Sequence, residues 1–337
     1  MQEIVVKQND AGQRLDKMLA KYLNLAPKSF FYKMLRKKNI TVNGKKAEGS
    51  KKLEAGDTVQ LFLSDETIAN FTEKKPIRQL KQIKNNLSVI YEDAHIILIN
   101  KPVGMLSQKA KEGDISAVEQ LRAYLLTNGS FTEEDLRGFS PSVCNRLDRN
   151  TSGILIAGKS LLGLQTMAEL LKSRELGKYY LCIAAGEVKE ACVIRGYLKK
   201  EKESNIVTLK ETASAFDREG MVPIETQYRP LASNQKVSLL EVKLVTGRSH
   251  QIRAHLASIG HPIIGDTKYG EQQINRFYQE RYSIRSQLLH AYRLEMPDIA
   301  GELSYLSKKK FTAPYPRRFA EFIKGEQLLW QPGILED

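Results

Sequence analysis

The sequence predicts an α+β chain: a domain with a mixed sheet, preceded by a small module of two helices and a few strands. Three observations predict it. Apolar residues recur at helical spacing near the N-terminus and in short strand-like runs further on. Strands and helices are interspersed without strict strand–helix–strand alternation, which argues against a doubly wound parallel sheet. At 337 residues with 42% hydrophobic content, the chain exceeds one typical domain and has ample material for a core.

In chain order, Leu15, Met18, Leu19 and Tyr22 form a helical stripe after the start signal Asp10-Ala11-Gly12. Pro27-Lys28-Ser29 opens a second helix with Phe31, Met34 and Leu35 as its apolar stripe. Its other side carries Lys28, Lys33, Arg36, Lys37 and Lys38. Asn43-Gly44 stands between β-formers in residues 40–46, a hairpin signal, and Lys45 and Lys46 follow it. A second turn, Ala55-Gly56-Asp57, leads into a strand at residues 58–63. Residues 1–70 thus read as one module, 71–86 as a polar, charged linker around Thr72-Glu73-Lys74-Lys75-Pro76, and 87–330 as a second domain.

The second domain opens with strands at 87–93 and 96–100, the latter apolar on both faces and therefore central. Further strands are expected at 153–157, 179–184 and 237–244. Helices are expected at 117–126, 162–173 and 250–258, the last capped by Ser249, buried through Ile252, Leu256 and Ile259, and stopped by Gly260.

A formal charge of +13 and a pI of about 9.4 point to a polyanionic partner, nucleic acid before acidic membrane. Cys144, Cys182 and Cys192 are odd in number and lack Cys-x-x-Cys spacing, which suits a reducing compartment and no disulfide or zinc framework. The N-terminus has no signal-peptide pattern, and no apolar run approaches the ~20 residues of a membrane span. The expectation is a soluble cytoplasmic protein.

Asp148 lies between Arg146 and Arg149, with Thr151-Ser152-Gly153 ahead of an apolar strand. A carboxylate beside guanidinium groups stays ionised at neutral pH, and small residues let the backbone turn sharply at a strand edge. On local physics alone the segment is a charged turn. His250, His255 and His261 do not suggest a metal, because two positions five apart on a helix point about 140° apart. Gly247 and Gly265 belong to unrelated turns and form no phosphate-cradling loop.

The stretch Asn145-Arg146-Leu147-Asp148-Arg149-Asn150-Thr151-Ser152-Gly153 resembles the central motif of RluA-type pseudouridine synthases, usually His-Arg-Leu-Asp-x-x-Thr-Ser-Gly. Two other stretches similar to that family occur in the right order. Upstream are Val89-Ile90-Tyr91-Glu92-Asp93 and Asn100-Lys101-Pro102-Val103-Gly104. Downstream are Thr246-Gly247-Arg248-Ser249-His250-Gln251-Ile252-Arg253-Ala254-His255-Leu256 and Gly265-Asp266-Thr267-Lys268-Tyr269-Gly270. Residues 13–63, through Arg14-Leu15-Asp16, Val42-Asn43-Gly44 and Gly56-Asp57, resemble the alpha-L RNA-binding domain of the RluC/RluD-like branch and of a ribosomal protein.

The resemblance implies a core with a mixed, largely antiparallel sheet, flanking helices and a central cleft. It implies that uridine in structured RNA, large-subunit ribosomal RNA above all, is isomerised to pseudouridine. Asp148 would be the catalytic residue, as a nucleophile toward ribose or base or as a base at the sugar. Tyr180, in Lys178-Tyr179-Tyr180, would stack on the uracil and assist loss of the carbon 5 proton, and Arg253 would be the basic partner of Asp148. Tyr179 and Tyr180 face opposite sides of a strand, so only one looks into the cleft.

Arg146, Arg248, Lys33, Arg36, Lys37, Lys38, Lys45 and Lys46 would contact RNA, Arg146 by filling the space of an extruded nucleotide or holding a phosphate. Lys101 and Pro102 would shape a turn under the cleft. The reaction is an isomerisation, so no cofactor and no metal are expected, and the partners are structured RNA, not membrane, met by a monomer. Asn145 stands where the family has His; that His is not catalytic there, so the difference bears on a neighbouring hydrogen bond or RNA contact. A catalytically silent, ribosome-associated RNA-binding protein is the alternative, disfavoured by the joint presence of Asp148, Tyr180 and Arg253. A hydrolytic nucleosidase would need a water-activating group that these motifs do not supply.

Overall fold

The computed structural model describes residues 1–72, 80–200, 207–210 and 221–330; part of the expected linker, residues 73–79, lies outside them. The first elements are β1 (Gln2–Val5), α1 (Leu15–Tyr22), α2 (Lys28–Arg36), β2 (Ile40–Val42), β3 (Thr58–Leu61) and α3 (Asp65–Asn70). Then come β4 (Val89–Glu92), β5 (Ile96–Lys101), α4 (Ala117–Thr127), α5 (Glu133–Gly138), β6 (Ser142–Val143), β7 (Ser152–Gly158) and α6 (Leu161–Ser173). They are followed by β8 (Gly177–Ala185), β9 (Cys192–Lys200), β10 (Val207–Lys210), β11 (Val222–Ser233) and β12 (Val237–Leu244). Last are α7 (Gln251–Ser258), α8 (Gln272–Tyr282), β13 (Leu289–Glu295), β14 (Lys310–Thr312) and α9 (Arg317–Gly325). The class is α+β, with a mixed sheet, as expected.

The chain forms two compact units. The first comprises Met1–Ile99, Leu106–Arg146 and Ile156–Glu169. Within it the apolar stripes of α1 and α2 close on a three-stranded sheet of order β1-β3-β2, burying Leu15, Leu19, Phe31, Ile40, Val59 and Leu61. Helix α1 begins later than its start signal: Gly12 turns with φ of 84°, and Arg14 is the N-cap. Asn43 and Gly44 have φ of 52° and 71°, the geometry of a two-residue hairpin turn. The return leg, however, is a single bridge from Val42 to Lys45, and β2 pairs with β3. Helix α5 joins the N-terminal elements in this unit, through an ion pair from Lys7 to Asp135 at 2.5 Å and Lys21 above the Phe139 ring. Sequence reading missed α5, although its capping box, Thr132 with Asp135, is a legible start signal.

The second unit comprises Asn100–Met105, Leu147–Leu155 and Leu170–Asp337. Its strands run in the order β10-β9-β11-β12-β8-β13-β7. The pairs among β8 to β13 are antiparallel, whereas β13 and β7 are parallel. Leu181, Ile183, Val237 and Leu239 pack with Ile264, Leu288 and the α9 residues Phe319 and Phe322. Strands β9, β11 and β13 were not read from the sequence. Strand β11 contains Pro223 and Pro230 and shows no clean alternation of buried and exposed residues, so it lacks the period-two signal.

Gly153, at the start of β7, has φ of 105° and lies opposite Ala291 of β13. A Cβ there would collide with the Ala291 backbone, so the position excludes every other residue on two counts. Gly153→Ala is expected to lower stability by roughly 3 kcal/mol, combining backbone strain with overpacking. Urea denaturation of the full chain measures this, and an unchanged midpoint would contradict the close approach.

Candidate active site around Asp148

Every contact in this site that involves Asp148 lies within the second unit. The loop before β7 is fixed from several directions. Thr151 N–H donates to the Asp148 carbonyl at 3.0 Å, closing a turn. Gly104 N–H donates to the Arg149 carbonyl at 2.9 Å, and Arg149 Nε returns a bond to the Gly104 carbonyl at 3.1 Å. Lys101 is fully buried, and its Nζ donates to the carbonyls of Pro102, Met105 and Arg149 at 3.0, 2.9 and 3.1 Å. Burial pushes its pKa down to about 7, opposed by the charge of Asp148. The expected structural role of Lys101 thus takes a specific form: three carbonyls gathered on one ammonium.

Past the loop, Ser152 Oγ lies 2.9 Å from His290 Nδ1, and the other ring nitrogen reaches the Ala313 carbonyl at 3.1 Å. Burial pushes His290 down to about 4, so the ring is neutral, its Nδ1 accepting a hydrogen bond from the Ser152 hydroxyl and its Nε2 donating to the Ala313 carbonyl.

The Asp148 side chain is a quarter exposed, while its partner Arg253 is buried. Arg253 Nη1 donates to Asp148 Oδ2 at 2.8 Å. The rest of the guanidinium forks onto Asp266, Nε to Oδ2 at 2.7 Å and Nη2 to Oδ1 at 2.8 Å. Asp266 is fully buried and also accepts the amides of Lys268 and Tyr269. Burial works against the Arg253 charge, but hydrogen bonds and charge from Asp266 and Asp148 outweigh it and hold the pKa above the usual value. Burial likewise disfavours the Asp266 anion, and Arg253 more than compensates. Asp148 Oδ1 has no hydrogen-bond partner among the described residues.

Tyr180 and Tyr179 project to opposite faces of β8. Tyr180 is buried, and its hydroxyl pKa is raised by burial and then by the negative charge of Asp148. Tyr179 instead lies under the Arg293 guanidinium, 4.1 Å from the ring centre, with Lys243 at 5.9 Å. Asp148, Tyr180 and Arg253 are therefore brought together.

Helix α7 corrects one expectation. Its N-cap is His250 in the left-handed conformation with φ of 57°, without a side-chain cap bond, and not Ser249. The helix start is held from inside by Gln251, whose amide donates to the Glu225 carbonyl and Thr226 Oγ1 and accepts from Thr246 Oγ1 and Arg248 N–H. Ile252 and Leu256 are buried as expected, but Ile259 is 36% exposed and stands outside the stripe. Gln251, Asp266, His250 and Tyr269 were missed as site residues; all four lie in the motif stretches, which was their only sequence signal.

The basic residues behave differently. Lys33, Arg36, Lys37, Lys38, Lys45 and Lys46 are exposed in the first unit, with no ion pair among the described residues. Arg146 and Arg248 are also exposed. Asn145 uses its side chain structurally, its Oδ1 accepting the Ile156 amide at 2.8 Å. The three histidines diverge: His250 faces Asp148, His255 bonds Thr226, and His261 donates to the Ala185 carbonyl. No group of three or more His, Cys, Asp or Glu suited to a metal occurs among the described residues, and no described helix is long and apolar enough to cross a membrane.

Residues 95–258 match the family model described as RNA pseudouridylate synthase, and residues 13–59 match the S4 domain. Over 304 residues the chain is 31% identical to the ribosomal large subunit pseudouridine synthase C of Vibrio cholerae, covering 90% of each chain. It is 32% identical over 295 residues to the synthase of the same name in Escherichia coli, covering 87% of each. Human RNA pseudouridylate synthase domain containing 4 shares the fold, with a TM-score of 0.58 at 19% identity, covering 77% of this chain and 99% of that one.

The shared guanidinium gives a direct test. Arg253→Met would leave Asp266 buried without its counter-charge and should cost about 3–5 kcal/mol of stability. Chemical denaturation reads it; a loss below about 1 kcal/mol, the range of an exposed pair, would show that the fork carries no such weight.

Proposed function

Because the chain belongs to the RNA pseudouridylate synthase family, and so isomerises uridine in RNA, we propose that it acts on specific uridines of structured large-subunit ribosomal RNA with Asp148 as its catalytic residue. Relatives about 30% identical over roughly nine-tenths of the chain carry large-subunit synthase names, which supports the RNA class. Such a substrate implies a cytoplasmic enzyme, and one chain holds all the groups the reading requires, so it acts as a monomer. The observation that carries the reading is the Asp148 carboxylate, secured at Oδ2 by Arg253 and unbonded at Oδ1 among the described residues, with Tyr180 beside it.

The chemistry follows from that arrangement. The N1–C1′ bond of uridine breaks, the uracil turns, and C5 bonds to C1′; the proton lost from C5 balances the one gained at N1. Atoms and electrons balance within the nucleotide, so the reaction calls for no cofactor. An ionised carboxylate serves it as a nucleophile at ribose or base, or as a base at the sugar. Arg253 anchors that carboxylate through Oδ2 with a charge-assisted hydrogen bond. Tyr180 keeps its phenolic proton at neutral pH, so its part is to stack on the uracil and relay the C5 proton through its hydroxyl rather than to act as a phenolate.

The target nucleotide must leave its helix to reach Asp148, at a cost of a few kcal/mol that contacts elsewhere supply. Arg146 lies in the motif segment of Asp148 and Arg248 in that of Arg253, and the lysine-rich face of α2 with the Asn43-Gly44 turn holds the surrounding RNA. These exposed, unpaired cations give up no existing ion pair among the described residues when they meet phosphate.

Asp148→Asn, which keeps shape and removes charge, should abolish pseudouridine formation on a large-subunit RNA transcript while RNA affinity stays within about twofold. Appreciable turnover by that variant would sink the role of Asp148. For the RNA face, charge removal is a cleaner probe than deleting the module, because α5 packs in the same unit. Lys33→Gln/Arg36→Gln/Lys37→Gln should weaken RNA binding and reduce the slope of log affinity against log salt by about 0.7–0.9 for each phosphate no longer neutralised. Equal slopes for variant and wild type would remove α2 from the interface.

A further inference from the structure

His250 has no part in the reading above, although it stands three residues from Arg253. Its left-handed backbone is uncommon for a residue with a side chain, although His adopts it more readily than most. The effect is to aim the ring at Asp148, with Nε2 3.9 Å from Oδ2. The other nitrogen, Nδ1, lies 3.0 Å from the Tyr269 hydroxyl. That hydroxyl oxygen accepts the Val207 N–H, also at 3.0 Å. Tyr269 is itself braced by the Arg253 guanidinium, 5.3 Å from its ring centre.

Counted among the described residues, one tautomer of His250 gives the Tyr269 proton an acceptor. The Tyr269 oxygen already accepts from Val207, and its own proton has one acceptor among the described residues, His250 Nδ1. The hydroxyl therefore donates to Nδ1, and the ring proton sits on Nε2, facing Asp148. Burial holds the imidazole pKa below its usual value, with the charge of Asp148 opposing, so the ring is a neutral donor at neutral pH. Arg253 Nη1 and His250 Nε2 thus both address Oδ2.

We propose that His250 is a positioning residue: together with Arg253 it occupies the Oδ2 side of Asp148, so that Oδ1 is the oxygen presented to the nucleotide, and Tyr269 acts only through His250 by fixing its tautomer. The proposal rests on the reading of Asp148 as the catalytic residue. It gives the left-handed backbone of His250, and the Tyr269 hydroxyl on the Nδ1 side of its ring, a part in the site.

The test uses the full-length protein in excess over an unmodified large-subunit RNA transcript, with single-turnover rate and RNA affinity measured separately. His250→Ala should slow the rate about tenfold, as a small misplacement of a reacting group does, with affinity within about twofold. His250→Gln, whose side-chain amide also offers an N–H, should recover most of the loss. Tyr269→Phe should slow the wild type but add nothing to His250→Ala or to His250→Gln, because neither leaves a tautomer to fix. A wild-type rate in His250→Ala, a loss confined to affinity, or a Tyr269→Phe effect that multiplies onto either His250 variant would overturn the proposal. If His250→Ala does not fold, the His250→Gln pair with and without Tyr269→Phe decides by the same rule. Asp148→Asn run alongside separates the two ideas: an active Asp148→Asn removes the catalytic aspartate itself, whereas an inactive one beside a full-speed His250→Ala removes only the role of His250.

Discussion

One guanidinium shared between two carboxylates is the constraint on which the second unit is organised. Arg253 is buried, and a buried cation is tolerable only when its charge and its N–H groups are met. Asp266 meets most of both through a two-pronged contact, and Asp148 takes the remaining Nη1. A lysine could not replace it: a point-like ammonium has neither the flat fork for Asp266 nor a third direction fixed relative to it. Because the fork is planar, fixing it on Asp266 also fixes where the Asp148 oxygen must lie. Helix α7 is pinned in turn by Gln251, which ties its first turn to β11 by two bonds.

The backbone of the Asp148 loop is held by different means. Lys101 gathers three carbonyls, those of Pro102, Met105 and Arg149, and Gly104 and Arg149 bond one another twice. A buried peptide carbonyl without a partner is costly, so the three acceptors explain why a lysine is tolerated at zero exposure. Side chain and main chain of the same residue are thus controlled separately. The carboxylate answers to α7, and the loop answers to the end of β5.

Much of this was legible in the sequence, for physical reasons that also mark the limit. The stripes of α1 and α2 and the apolar β5 bury one face or both, so their periodicity is written plainly. Asp148 and Arg253 were picked out by the ordered motif stretches and Tyr180 by the Lys178 two residues before it, and the structure brings these three residues together. Strand β11 was not readable, since half-buried residues and two prolines blur any alternation. Ser249 looked like the cap of α7 because serine is a good cap, but the chain there is bent by the left-handed His250, a tertiary demand that local preference does not reveal. Asp266 was passed over because its local amide bonds to Lys268 and Tyr269 look like those of any turn, while its pairing with Arg253 across the sequence leaves no local trace. Asn145, the one departure from the usual motif, satisfies the Ile156 amide, a neutral task within its own unit.

The close approach at Gly153 reaches further than the loop it starts. Ala291 lies opposite Gly153 on one side and opposite Tyr180 on the other, so the three residues form a single rung across β7, β13 and β8. The Asp148 loop and the tyrosine strand are therefore separated by two inter-strand spacings, about 10 Å, set by peptide hydrogen bonds rather than by the size of any side chain. Such a ruler is indifferent to drift in the core. Apolar residues on either face of the sheet can be exchanged over generations without altering it, whereas one added methyl at Gly153 would shift its zero point.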